Sequence, residues 1–471
     1  MLEEQLLDRL RQIVGQHGVL SQSNELYAYS IDATPLLQSM PDVVVLPQTT
    51  QQVSEILRLA NEHRIPVVPR GSGTNLAGGT IPVHGGIVLN MTRFNQIYEI
   101  DEKNLTVTLG PGVVTAQLHQ AVEAVGLFYP PDPGSMRIST IGGNVAQCAG
   151  GMRGLKYGVT KDYVMGLEYV LPTGEVLRCG GKNYKDVAGY DLTRLLVGSE
   201  GTLAVITELT LKLLPMPETK RQLVVFCSKM VDAARIVERT VAAKIIPATM
   251  EFLDRETMKV VDDYSKLGLP KDVAAMLLIE QDGSEEQVVR DVERIAEIAR
   301  QEGAVGVEMA KTPEDGAKLM MARRSALAAL SRLRPTTILE DATVPRSQLG
   351  EMVEAVSRIS EKYRVQICTF GHAGDGNLHP TCMTDERDRE EIERVEKAFE
   401  EIFTTALQLG GTITGEHGVG LSKMKYLPQR VGDGGMALMK GLKAAFDPNG
   451  ILNPGKVIAN GAPKRVVVRH P

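Results

Sequence analysis

Leu2, Leu6, Leu7, Leu10 and Ile13 recur at helical spacing, which predicts an amphipathic helix at the start of the chain. Short apolar runs follow at 43–46, 65–68, 86–91 and 105–109, interleaved with helical patterns over 51–62 and 113–125. Alternation at this spacing predicts βαβ units. Farther on, the runs 166–171 and 176–179 flank Pro172-Thr173-Gly174-Glu175, a hairpin signal, and a long strand over 203–214 runs into Pro215 and Pro217. A Pro-x-Pro after a strand stops regular pairing, so a domain boundary is expected there.

Beyond that boundary the apolar runs 222–227, 274–280, 304–308 and 366–370 alternate with helical patterns over 231–244, 284–301, 316–333, 347–363 and 385–409. The last of these is closed by Gly410-Gly411. The pattern predicts an α+β layer with helices on one face, and an α+β class for the whole chain. Its expected divisions are a first domain over 1–217 with its core from about residue 40, a second over 218–457 whose C-terminal end returns to the first domain's ligand, and a tail over 458–471.

Composition narrows the function. The 471 residues carry 52 Lys plus Arg against 58 Asp plus Glu, and a net charge of −6 argues against a nucleic-acid binder. No run of eighteen apolar residues occurs, and Glu3, Glu4 and Asp8 stand where a signal peptide would be basic. Five cysteines, none in a CxxC pair, suggest neither a disulfide framework nor an iron–sulfur or zinc–thiolate site. The expectation is a cytoplasmic protein with no transmembrane segment, reaching a membrane only through a partner. Lys464, Arg465, Arg469 and His470 make the tail basic, as solvated termini often are.

Three glycine clusters carry the first candidate chemistry. Arg70-Gly71-Ser72-Gly73-Thr74-Asn75 follows a strand, and backbone N–H groups in such a turn can converge on an anion, a diphosphate above all. Leu76 stands where a dinucleotide fingerprint needs its third glycine, and no Walker motif occurs, so neither simple NAD binding nor a P-loop is expected. The other clusters are Pro131-Asp132-Pro133-Gly134-Ser135, continuing through Thr140, Gly143 and Asn144, and Gly198-Ser199-Glu200-Gly201-Thr202. Any one of them alone reads as a tight turn.

Three of the eight histidines gather between 372 and 417, in Gly371-His372-Ala373-Gly374-Asp375-Gly376-Asn377-Leu378-His379 and in Gly415-Glu416-His417-Gly418. Gly374-Asp375-Gly376 is a turn signal that lets His372 and His379 face each other across a hairpin. Two imidazoles with the Glu416 carboxylate make a three-ligand set that leaves a coordination position open. Such a set suits zinc, iron or manganese.

The three glycine clusters in this order, with the ending Phe446-Asp447-Pro448-Asn449-Gly450-Ile451-Leu452-Asn453-Pro454-Gly455-Lys456, resemble the vanillyl-alcohol oxidase and p-cresol methylhydroxylase flavoprotein superfamily. Within it the chain is similar to glycolate oxidase flavin subunits and to FAD-dependent D-lactate and D-2-hydroxyglutarate dehydrogenases, over nearly its whole length. The resemblance implies an FAD-binding domain followed by a substrate, or cap, domain. It implies that Arg70, Gly71, Ser72, Gly73, Thr74 and Asn75 wrap the FAD diphosphate. Pro133, Gly134, Thr140, Gly143 and Asn144 would lie along the diphosphate and isoalloxazine, Glu200, Gly201 and Ile206 near the adenosine half, and Asn453 by the ring system. Members with covalent flavin often have histidine where this chain has Thr74, so non-covalent FAD is implied.

The same resemblance implies a divalent ion on His372, His379 and Glu416, His417 as general base, and Asn377 as a neighbouring hydrogen-bond donor. It also implies an arginine for the substrate carboxylate, which Arg323 matches better than Arg324; a solvated helix face is the other reading of that pair. Where the hydroxyglutarate branch has a lysine shortly before Asp341, this chain has Leu339, which favours a small monoacid such as lactate or glycolate. The implied reaction is oxidation of a D-2-hydroxy acid to the 2-keto acid by hydride transfer to flavin N5. Electrons would pass to an electron-transferring flavoprotein, an iron–sulfur subunit, a quinone or a cytochrome. An oxygen-using oxidase and a non-catalytic electron-relay subunit are the alternatives.

Overall fold

A computed structural model describes residues 2–458, so Lys464, Arg465, Arg469 and His470 lie outside the described residues. The chain divides into two compact units, one of Met1–Ala149, Val159–Met216 and Glu416–Pro471, the other of Gly150–Gly158 and Pro217–Gly415. Both mix helices and sheets, and the class is α+β as the patterning predicts.

In the first unit, the β-branched runs Val43–Val45, Ile87–Asn90 and Val67–Arg70 pair in parallel in that order, with Val19–Leu20 antiparallel at one edge. The intervening helix Thr50–Glu62 starts at Thr49, whose hydroxyl accepts from Gln52 N at 3.2 Å. Val53, Ile56 and Leu57 of that helix pack with Val43, Val67, Ile87 and Leu89, and Leu10 of the opening helix Glu4–Val14 completes the cluster. The chain's far end returns here: Leu452 bridges Val67 in parallel, and Asn453 N donates to Val67 O at 2.7 Å.

A second, antiparallel sheet of this unit runs Ile97–Asp101, Thr106–Leu109, Val205–Lys212, Val164–Val170, Val176–Gly180. Burial along Val205–Lys212 alternates strictly, so Val205, Thr207, Leu209 and Leu211 turn inward.

The second unit is built on one antiparallel sheet in the order Ala304–Met309, Thr219–Cys227, Ala275–Gly283, Thr249–Asp254, Ile367–His372, Asn377–Thr384, Thr336–Leu339, with Ala342–Thr343 also paired to Asn377–Thr384. Its central strand Thr249–Asp254 has no counterpart among the predicted elements, because Glu251 breaks an otherwise apolar run. The expected helix over 316–333 is two helices, Pro313–Arg324 and Ala326–Leu330. They part at Ser325, whose hydroxyl donates back to Ala322 O at 2.7 Å. Gly150–Gly158 belongs to this unit because Lys156 pairs with Asp282 and Tyr157 OH donates to Asp282 Oδ2 at 2.8 Å.

Candidate active site

The loop after strand Val67–Arg70 is shaped for close backbone approach. Gly73 has φ +76°, and a Cβ there would strike the Arg70 guanidinium; a Cβ on Gly71 would strike Thr140 Oγ1. Among the described residues, the amides of 71–75 donate to no backbone carbonyl. Asn75 is buried, and its Oδ1 ties down the following turn by accepting from Ala77 N at 2.9 Å and Gly79 N at 2.6 Å. Its Nδ2 is buried with no hydrogen-bond partner among the described residues. Arg70 is buried too, its guanidinium 5.6 Å from the Tyr29 ring centroid, and desolvation pulls its pKa below the ordinary value. An unpaired buried donor, a buried cation and a row of open amides fit an anionic diphosphate.

The other residues expected at this cofactor divide into two groups. Thr140 caps helix Ile141–Gln147 by accepting from Gly143 N at 3.4 Å, and Gly134 has open space where a Cβ would stand. Pro133 is buried beside it. Asn453, at φ +41°, donates through Nδ2 to Gly79 O at 3.0 Å and Glu200 O at 2.8 Å, while its buried Oδ1 has no hydrogen-bond partner among the described residues. By contrast, Asn144 spends its amide on Thr115 Oγ1 at 2.8 Å, and Ile206 packs half-buried against the core of the antiparallel sheet.

Glu200, in the left-handed region at φ +53° just before Gly201, serves the chain itself. Its carboxylate accepts from Val419 N at 2.7 Å and Gly420 N at 2.8 Å, which anchors the segment carrying His417. Burial pushes its pKa up to about 7 against those hydrogen bonds and the nearby Lys423 and Lys456. His417 itself is 8% exposed.

The second unit collects its chemistry on one sheet face. Glu251, His372, Asn377 and Thr343 stand directly opposite one another on four neighbouring strands, and Leu253, Phe370 and His379 form the adjacent row. Directly across the hairpin from His372 is Asn377, and His379 lies on the diagonal. The two imidazoles meet edge to face with centroids 5.0 Å apart. Gly376, at φ +80°, makes the turn that joins the two strands.

Glu416 reaches this set through its peptide bond to Gly415, the last residue of the unit. Asp341, fully buried, accepts from Gly415 N and Thr414 Oγ1, both at 2.7 Å. A side chain on Gly415 would collide with Thr343 and Asn377, so only glycine lets the segment lie this close. One potential ligand atom from each of His372, His379 and Glu416 then lies within 4.8 Å of the others, and both histidines are buried. Two neutral nitrogens and a carboxylate at this spacing fit a divalent cation. Thr343 Oγ1 donates to Asn377 Oδ1 at 2.9 Å, which orients the Asn377 amide.

Two groups of this site were not among the expected residues. The Glu251 carboxylate, fully buried, holds His372 Nδ1 at 2.8 Å and lies 2.5 Å from Arg323 Nη2. Asp341 is the other, holding the Thr414–Gly415 segment that leads into Glu416. An acidic residue alone in a strand-like apolar run was the available signal for Glu251. Arg323 is 6% exposed, with its guanidinium 4.7 Å from the Phe370 ring centroid. Its contact with Glu251 is an ion pair off the hydrogen-bond direction, and its Nε has no hydrogen-bond partner among the described residues. It is therefore not a solvated helix residue, whereas Arg324 is only half-buried.

A loop of open amides after strand Val67–Arg70 and a His/Glu cluster with a buried arginine nearby are the pattern expected of an FAD-linked oxidoreductase. The chain belongs to the FAD-linked oxidase family: residues 216–457 match the family described as FAD linked oxidases, C-terminal domain, and residues 41–180 match an FAD binding domain. It is 58% identical to the glycolate oxidase subunit GlcD of Bacillus subtilis (strain 168) over 100% of both chains. It is 36% identical to the GlcD subunit of Escherichia coli (strain K12), over 96% of this chain and 91% of that one. A D-lactate dehydrogenase of Archaeoglobus fulgidus is 37% identical over 92% of this chain and 95% of its own. Among solved structures, p-cresol methylhydroxylase shares the fold with a TM-score of 0.81 at 19% identity, covering 97% of this chain and 96% of that one.

Proposed function

We propose that the protein is an FAD- and divalent-metal-dependent dehydrogenase that oxidises a small D-2-hydroxy acid, D-lactate or glycolate, to the 2-keto acid and passes the electrons to a partner. The observation that carries this reading is the His372, His379 and Glu416 set standing beside a buried arginine with an open donor. A relay subunit has no use for a substrate-binding ion, and the GlcD and D-lactate dehydrogenase relatives point to the same substrate class.

When bound, FAD supplies the hydride acceptor, and a dication supplies an acidified substrate hydroxyl. The chain's own residues do the rest. Arg323 binds the substrate carboxylate through its unfilled donors, a role that suits a planar guanidinium. Phe370 beneath it and the buried Leu339 favour a small acid without a second charge. Asn377, its carbonyl already engaged by Thr343, offers its amide N–H to a substrate oxygen. His417 accepts the hydroxyl proton at a ring nitrogen, since a neutral imidazole titrates near working pH. The electrons then pass to an electron-transferring flavoprotein, an iron–sulfur subunit, a quinone or a cytochrome; among the described residues no helix is long and apolar enough to cross a membrane.

The test is a panel of lactate, malate and glycolate stereoisomers added anaerobically to the flavoprotein. D-lactate or glycolate should bleach the oxidised flavin band, while L-lactate leaves it intact. Indifference to every member of the panel sinks the proposal.

A further inference from the structure

Burying a carboxylate completely is unfavourable unless its oxygens are engaged, and Glu251 engages both on groups of the proposed site. Its place is dictated by sheet register: Glu251 is the direct cross-strand neighbour of His372, so the side chains meet without a loop between them. A carboxylate only accepts, so the 2.8 Å contact fixes the proton on His372 Nδ1 and leaves Nε2 as the ligand nitrogen. On its other side the carboxylate neutralises Arg323, which is otherwise a buried cation resting on Phe370.

We propose that Glu251 is the positioning residue that ties the two halves of substrate recognition together, orienting the metal-binding imidazole of His372 with one oxygen and the carboxylate-binding guanidinium of Arg323 with the other. This rests on the reading of His372, His379 and Glu416 as an ion site. It extends that reading by making ion affinity and acid affinity depend on one side chain that touches neither the ion nor the substrate. A carboxylate on the far nitrogen raises the basicity of a ligating imidazole, and losing such a partner typically weakens ion binding by about 10–100-fold. A guanidinium without its anchor also meets the acid in more than one pose, which raises KM.

The experiment compares the FAD-loaded full chain with its Glu251→Gln variant. Zinc affinity is read by competition with a chromophoric chelator, and the kinetics of flavin reduction by D-lactate and glycolate are read at saturating zinc. The expected result is zinc binding weakened by about 10–100-fold, together with a KM that rises by a larger factor than kcat falls. A merely structural ion pair would lower the melting temperature while leaving zinc affinity and KM within twofold of the parent, and that result overturns the proposal. If the parent itself takes up no zinc, iron or manganese, the ion-site reading fails first, and the failure shows in the parent rather than in the variant. Should Glu251→Gln not accumulate as folded flavoprotein, the double variant Glu251→Gln/Arg323→Met removes both charges. It should still bind zinc weakly, and parent-like zinc affinity in it contradicts the proposal.

Discussion

The two candidate sites are built by different means. In the first, recognition is written in the backbone: open amides at 71–75, Gly73 at positive φ, and a tied-down Asn75. In the second it is written in side chains, arrayed on an antiparallel sheet face where register decides which residue meets which. A backbone site advertises itself through glycine, whereas a sheet-face site needs the pairing partners of each strand before its members can be connected.

The difference predicts separable losses. His372→Ala should remove the ion and slow flavin reduction by roughly 10⁴-fold, the scale of losing a Lewis acid, while bound FAD measured by absorbance stays at the parent level. Loss of FAD together with the ion would show that the two sites are not independent.

His417→Ala sharpens the contrast, because its segment is held by Glu200 in the first unit. Flavin reduction should fall by ~10²–10³-fold, as for removal of a general base, with ion content and FAD content both retained. Parent-like reduction would remove His417 from the chemistry.

Gly73→Ala attacks the backbone site. A side chain at φ +76° beside Arg70 costs ~1–3 kcal/mol, so FAD affinity should weaken by about tenfold or more while chelator competition reports unchanged zinc binding.

The smallest effect concerns the frame of the second unit. Asp254 caps helix Arg255–Ser265 by accepting from Thr257 N at 2.8 Å, and accepts from Thr369 N at 2.5 Å, yet burial pushes its pKa up to about 6. Because that value lies above the unfolded one near 3.8, the folded state holds the extra proton between them. The contribution is full below about pH 4 and is lost as pH rises through about 6. The stability difference between parent and Asp254→Asn should therefore drift against the parent over that window, at up to about 1.4 kcal/mol per pH unit. A flat difference would show that Asp254 does not titrate there.

How much of this was legible in the chain follows the same division. The parallel strands and the diphosphate loop are visible because valine runs, helix spacing and glycine are local signals. The His and Glu blocks are visible because polar residues in glycine-rich segments stand out. Glu251 and Asp341 are not, since their roles arise only when residues far off in sequence come alongside, His372 for one and Thr414 and Gly415 for the other. The strand Thr249–Asp254 was hidden for the same reason that it matters: the one acidic residue that interrupts its apolar pattern is the one that holds His372. Glu200, expected near the adenosine half of FAD from its glycine cluster, has a further role that only the structure shows: its carboxylate grips the backbone beside His417.

Anaerobic reduction of the FAD-loaded protein by D-lactate and glycolate, before and after a chelator, tests the central claim most directly. The account predicts bleaching that the chelator abolishes and added zinc, iron or manganese restores. Bleaching at the same rate with the ion stripped away would contradict it.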